Sequence, residues 1–269
     1  MPPRGFHPFP PGLEDVGPAH HDEAPPQVHP WYADAPQLAV DELPPVAEVN
    51  TALTGLCGPS SSGAGASFYI FCARVLVEVD LQTADVRRFE VPFDSHCDRL
   101  YAYGACSALL AEDGRIYFGM AARPTRLGRF DPRTGEVKLL GETDGWSPNM
   151  WASDRRGNLY VVTYPAVLTR VDVRTGGVET LGRMTPDGLY CHQSGMAAGD
   201  DGLLYVSVGP RDFRLMVFDP ARNQIDQIGT GWYQVFANRG RPYAALKKDP
   251  RPGSPSGPSL VRLTNGRAE

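Results

Sequence analysis

Histidine, tyrosine and tryptophan gather in four stretches of this chain. These are Phe93-Asp94-Ser95-His96-Cys97-Asp98-Arg99-Leu100-Tyr101-Ala102-Tyr103, Thr143-Asp144-Gly145-Trp146-Ser147-Pro148-Asn149, Asp187-Gly188-Leu189-Tyr190-Cys191-His192-Gln193 and Gly231-Trp232-Tyr233-Gln234. His192 is the side chain best suited to chemistry. An imidazole exchanges its proton near neutral pH and can act as general base or acid in an elimination or a hydrolysis. Tyr190 and His96 are its candidate helpers. Tyr103, Trp146 and Trp232 would wall a site, while Asn149, Gln193 and Gln234 would offer hydrogen bonds. Aromatic walls with a few polar groups suit a small polar metabolite or a sugar. The opposing account is that the aromatics plug a channel mouth and that a backbone group satisfies His192.

Other titratable groups read differently. Asp94, His96, Cys97 and Asp98 together with Cys191 and His192 are ligand types for a divalent metal. Their spacing matches no standard zinc motif, so no cofactor is assigned. Cys191 and His192 are strand neighbours that point to opposite faces, which separates them as a nucleophile and its base. Asp80, Asp131, Asp172 and Asp219 recur at one place in a repeat, so they serve the repeat by accepting N–H bonds in the next turn. Asp200-Asp201 is turn chemistry. Arg123, Arg126, Arg211 and Arg214 would meet an anionic ligand or lie on the surface. His20-His21-Asp22-Glu23 sits in a solvated tail.

Composition bounds the class. The chain has 269 residues, 42% hydrophobic and 21% charged, enough apolar material for a full core. A formal net charge of −5 gives no basic stripe for nucleic acid. No apolar run approaches the roughly 20 residues of a membrane helix. Five cysteines without CxxC spacing, and no apolar signal core at the start, lead to the expectation of a reducing cytoplasm.

The elements that must position these residues come from a repeated phrase. Tyr69, Tyr117, Tyr160, Tyr205 and Tyr243 recur at intervals of 38 to 48 residues. Gly114, Gly157, Gly202 and Gly240 form turns just before the last four of them. Thr134-Gly135 and Thr175-Gly176 form a second turn, with Asn223-Gln224 and Asn265-Gly266 at the same place. Short strands at such a period predict an all-β propeller of four-stranded blades. Alternation in Val167-Leu168-Thr169-Arg170-Val171-Asp172 predicts strands with one wetter side. Five blades are visible from about residue 51. The fifth reads as lacking its outer strand, and Gln37-Leu38-Ala39-Val40-Asp41-Glu42-Leu43 would then close the ring; the alternative is a fragment of a larger ring. Residues 1–36 read as a Pro-rich flexible arm, and 37–269 as one propeller domain.

The phrase Asp113-Gly114-Arg115-Ile116-Tyr117-Phe118-Gly119, continued by Arg129-Phe130-Asp131-Pro132-Arg133-Thr134-Gly135-Glu136-Val137, resembles the broad superfamily of bacterial propellers. That group holds streptogramin lyase-like, SMP-30/gluconolactonase-like and NHL-type repeat proteins. The resemblance implies the architecture. Streptogramin lyase-like proteins carry Trp-Phe-Thr where this chain has Tyr117-Phe118-Gly119. The SMP-30-like enzymes would imply axial acid and amide ligands, for which Asn149 is the matching position.

Together these readings predict a lyase or hydrolase acting on a small polar metabolite or glycan at an axial funnel. The alternative is a non-catalytic module that binds a protein or carbohydrate through its aromatic rim. The Pro-rich arm would serve a protein partner or a homo-oligomer.

Overall fold

The computed structural model describes residues 3–7, 55–62, 65–72, 75–92, 107–120, 122, 124–145, 148–186, 192–209, 214–230, 233–238, 240–246 and 260–268. It is all-β there. Blade 1 holds β1 (Gly55–Ser62), β2 (Gly65–Cys72), β3 (Val75–Asp80) and β4 (Val86–Glu90). Blade 2 holds β5 (Ser107–Leu110), β6 (Ile116–Met120), β7 (Thr125–Asp131) and β8 (Glu136–Thr143). Blade 3 holds β9 (Pro148–Ser153), β10 (Asn158–Thr163), β11 (Val167–Asp172) and β12 (Val178–Arg183). Blade 4 holds β13 (His192–Ala198), β14 (Leu204–Gly209), β15 (Arg214–Asp219) and β16 (Gln224–Thr230). Blade 5 holds β17 (Tyr233–Asn238), β18 (Arg241–Leu246), β19 (Leu260–Thr264) and β20 (Arg267–Ala268). Each blade is an antiparallel meander in chain order.

Blade 5 therefore has its outer strand, which corrects the expectation that this copy stops at its third. Asn265-Gly266 makes a turn with φ of 49° and 72°, and Leu263 and Thr264 pair with Ala268 and Arg267. Two residues are too short for any hydrophobic pattern to reveal. The proposed closing strand at 37–43 lies outside the described residues.

Turn chemistry sets the meander. Gly114 and Gly202 turn at φ of 76° and 83°, a region where a Cβ costs energy. The recurrent aspartates cap the second turn of blades 1 to 4 as expected. Asp80 accepts from the N–H groups of Gln82 and Thr83 at 2.8 and 3.0 Å, and Asp172 from those of Arg174 and Thr175 at 2.8 and 2.9 Å. Asp219 does the same for Ala221 and Arg222, and Asp131 for Arg133.

Four apolar clusters join successive blades. One lies between blades 1 and 2 around Tyr69, Phe118 and Phe130, and one between blades 2 and 3 around Tyr117, Leu127 and Val161. The third lies between blades 3 and 4 around Tyr160, Val206 and Phe218, and the last between 4 and 5 around Tyr205, Val217 and Val235. The first four repeat tyrosines thus pack toward the next blade, and Tyr69, Tyr117, Tyr160 and Tyr205 are fully buried. Tyr243, in the last blade, is only half-buried and stacks on Phe236, ring centroids 5.9 Å apart.

β11 keeps the expected wetter side, with Arg170 and Asp172 half-buried between buried Val167, Thr169 and Val171. The middle strands β6, β10 and β14 are instead enclosed on both faces, which corrects the expectation for them. All five residues of β6 are buried, and Thr169 is buried in β11. A blade has a neighbour on each side, so a middle strand can bury both faces. The polar member pays its way by pairing: Thr169 bonds the hydroxyl of Thr143 from blade 2.

A bulge recurs in the outer strands and was not legible beforehand. Leu140, Leu181 and Ile228 are the extra residues where β8, β12 and β16 pair with β7, β11 and β15. Each precedes a glycine (Gly141, Gly182, Gly229), and each packs with the cluster facing the next blade. A bulge turns a side chain out of the pleat's alternation. Here it sends an outer-strand apolar group into the junction.

Candidate functional site

Inner strands of neighbouring blades pack in the order β1, β5, β9, β13, β17. Blades 4 and 5 approach closely where Gly195 meets the backbone of Val235, a contact that leaves no space for a Cβ. Toward the other end, the Asp200 N–H donates to the Gly240 carbonyl at 3.1 Å. β13 and β17 therefore run side by side in one direction. β9 joins them in the same sense, because Ser153 and Asp154 at its end line one cavity with Ala198, Gly199 and Asp200.

That direction assigns an end to the described candidates. His192 and Gln193 open β13, Asn149 is the second residue of β9, and Gln234 is the second of β17. All four lie at the strand-start end. The side chains of Asn149 and Gln234 are exposed there. His96, Tyr103, Trp146, Tyr190 and Trp232 lie outside the described residues.

The approach to Trp146 is held from both flanking blades. The Gly145 carbonyl accepts from the Thr125 N–H at 3.0 Å and from its hydroxyl at 3.2 Å. The buried Thr163 hydroxyl donates to the Asp144 carbonyl at 2.7 Å. Trp151 was missed by sequence reasoning. It sits on β9, and its indole N–H donates to the Ser107 carbonyl and hydroxyl at 3.1 and 3.0 Å, tying blade 3 to β5. Only its place on an inner strand marks it, and that needs the strand boundaries.

The strand-end face is built from turns. It holds a cavity of about 170 Å³ lined by Ser153, Asp154, Arg155, Arg156, Ala198, Gly199, Asp200 and Gly240. Asp154 is engaged by the N–H groups of Arg156 and Asn158 at 2.7 and 2.9 Å and by the Asn158 amide at 2.7 Å. The Ser153 hydroxyl donates to Glu112 at 2.8 Å. Asp201 accepts from the Leu203 N–H, the Tyr205 hydroxyl and the Asn265 N–H at 3.1, 2.6 and 2.8 Å. The cavity is a gap among turns, bordered by two bonds between blades, Ser153 to Glu112 and the Asp200 N–H to the Gly240 carbonyl.

Titration behaviour follows the same division. Backbone N–H donors hold Asp80 and Asp172 below the ordinary carboxylate range. For Asp131 burial works the other way, but the Arg115 guanidinium at 2.9 Å and the Arg133 N–H outweigh it, and the net direction is down. Burial, with Asp113 adding to it, pushes the Tyr117 hydroxyl up to about 12; burial does the same at Tyr160, also to about 12. Among the described residues no group of three or more His, Cys, Asp or Glu side chains is arranged to hold a metal. No helix among them is long and apolar enough to cross a membrane.

No family model and no curated protein matches the sequence. Solved structures do match in fold. The WD40 repeats of RRP9 superpose with a TM-score of 0.56 at 11% identity, over 83% of this chain and 64% of that one. The BT4673 extracellular domain of B. thetaiotaomicron gives 0.53 at 15% identity over 83% of this chain, which spans only 29% of its length. BamB from Moraxella catarrhalis gives 0.50 at 15% identity, over 74% and 59% of the two chains. The chain is thus a β-propeller, and its likeness to these proteins is one of architecture, which hosts unrelated functions.

Proposed function

We propose that this propeller binds a small polar metabolite or glycan where its inner strands begin. Asn149, Gln193 and Gln234 would bond the ligand's polar groups, and Tyr103, Trp146 and Trp232 would wall it. The carrying observation is that neighbouring inner strands start together at one end, with Asn149 and Gln234 both exposed there. At the other end Ser153, Asp154 and Asp201 are engaged by Glu112 and by turn N–H groups. In the catalytic form of this reading His192 is the acid or base for elimination or hydrolysis, assisted by Tyr190 and His96, in a reducing cytoplasm. A positioned acid/base contributes on the order of 10²–10⁴ in rate.

The test is a binding screen of sugars and small metabolites against the wild type and the Trp146→Ala, Trp232→Ala and His192→Ala proteins. Loss of binding in the tryptophan variants, with turnover falling at least a hundredfold in His192→Ala, is the expected result. Unchanged binding in both tryptophan variants would remove this face as the site. Binding without product in the wild type would favour the non-catalytic module. In that second reading the aromatic rim binds a protein or a carbohydrate.

A further inference from the structure

The outer strands do not meet alike at every junction. β8 and β12 of blades 2 and 3 pack directly, and Val178 Cγ2 lies 3.3 Å from where a Cβ on Gly141 would stand. Among the described residues, β12 and β16 of blades 3 and 4 make no packing of that extent. Residues 3–7, Pro3-Arg4-Gly5-Phe6-His7, fill the wedge between them. The segment pairs with both edges. Arg4 bridges in parallel to Gln224 of β16, and His7 in antiparallel fashion to Arg183 of β12.

Main-chain bonds hold the two ends. The Arg4 N–H donates to the Asn223 carbonyl at 2.9 Å, and the Ile225 N–H to the Arg4 carbonyl at 3.0 Å. The His7 N–H donates to the Arg183 carbonyl at 2.9 Å, and the Arg183 N–H returns to the His7 carbonyl at 3.4 Å. Between them one side chain goes inward. Phe6 packs against the cluster of blades 3 and 4, edge-on to Phe218 at 5.8 Å between centroids. The bulge glycine makes room for it: a Cβ on Gly182 would come within 2.8 Å of Phe6 Cβ. Gly5 is equally constrained. Its φ is +78°, and a Cβ there would collide with the Ile225 carbonyl oxygen.

We infer that the wedge between β12 and β16 is a peptide-recognition groove, that its ligand class is an extended segment carrying glycine followed by an aromatic residue, and that residues 3–7 occupy it in cis. Strand addition supplies sequence-independent affinity, and the pocket over Gly182 supplies the choice of side chain. Arg4 is exposed and His7 half-buried, so the discrimination falls on Gly5 and Phe6. The 47 residues from 8 to 54 separate this segment from β1, long enough to leave and rebind without disturbing a blade. A tether of that length gives an effective concentration on the order of millimolar at most. A partner segment with the same Gly-aromatic pair would compete for the groove.

The test uses the full chain carrying Phe6→Ala, which removes the anchor, and a fluorescent peptide Met-Pro-Pro-Arg-Gly-Phe-His-Pro-Phe. Expected is saturable binding, read by anisotropy, to the variant but not to the wild type below about 1 mM. Alanine in place of the peptide's sixth residue, the phenylalanine after its glycine, should weaken binding at least tenfold. Gly5→Val is the second variant, since it clashes with Ile225 and leaves the core untouched. In the wild type, the amides of Ile225 and His7 should be protected from exchange, and in both variants exposed. A folded variant that takes up no peptide, binding indifferent to the phenylalanine after the peptide's glycine, or unprotected wild-type amides would each overturn the inference. So would unfolding of both variants, which would make the segment an obligate part of the core.

Discussion

At the scale of single residues, the repeated polar groups of this chain work as fasteners. Asp131 joins a turn N–H to the Arg115 guanidinium, and Tyr117 and Tyr205 donate their hydroxyls to Asp113 and Asp201 at 3.0 and 2.6 Å. The sign of the pH dependence follows. A carboxylate whose folded pKa is lowered adds stability above its unfolded value, about 3.9, and loses it as pH falls through the folded one. Asp131 is such a group, so the wild type should lose stability below about pH 4. Asp131→Asn should cost about 1–3 kcal/mol at pH 7 in urea melts and flatten part of that acid limb. A variant with an unchanged acid limb would contradict the assignment. The tyrosines act at the other extreme. Tyr117 and Tyr160 titrate near 12, above the ordinary value near 10, so their contribution is intact below pH 10 and is lost as pH rises through about 12. Absorbance at 295 nm should show two or more tyrosines ionising only together with alkaline unfolding.

The element scale is governed by the outer-strand bulge. Leu181 is an extra residue in β12, is 4% exposed, and packs between blades 3 and 4. Leu139 lies on the same kind of strand, just before the bulge of β8, and is 42% exposed. Leu181→Ala should therefore cost about 2–5 kcal/mol, and Leu139→Ala within about 0.5, by equilibrium denaturation. Equal costs would mean that the bulge does not direct the packing. The same device explains why β12 offers Gly182 to Phe6: the residue that turns inward is followed by one with no side chain to fill the edge.

For the whole molecule, stability is shared between neighbouring blades, since each cluster spans one junction. Phe218 is fully buried and touches both Tyr160 of blade 3 and Phe6 of the N-terminal segment. Phe218→Ala should cost about 3–5 kcal/mol and also free the segment, seen as loss of exchange protection at His7. Retained protection there would show that main-chain pairing alone holds it. Amides of β10, β11, β14 and β15, enclosed by blades on both sides, should exchange slowest, and those of β19 and β20 fastest among the paired strands. The exposed stack of Phe236 on Tyr243 is the corresponding face of blade 5, open where the earlier blades are covered.

The repeat was readable from the chain because its causes are local. A turn glycine at positive φ, an aspartate that caps its own turn and a tyrosine three residues past the first turn's glycine are neighbours in sequence, so their recurrence spells out blades and most strand boundaries. The two-residue β20 and the bulges at Leu140, Leu181 and Ile228 were hidden, because a bulge is defined by what lies opposite it and a two-residue strand has no period. Burial on both faces was hidden for the same reason, since it depends on the next blade. Of the candidate site, residue types and the order of loops were legible. That Asn149, His192, Gln193 and Gln234 begin strands running side by side in one direction required the packing of Gly195 on Val235 and of Asp200 on Gly240. The docking of residues 3–7 lay furthest from view: a Pro-rich stretch has no pattern of its own, and only the unequal spacing of two outer strands, some 180 to 220 residues further along, creates the groove that receives it.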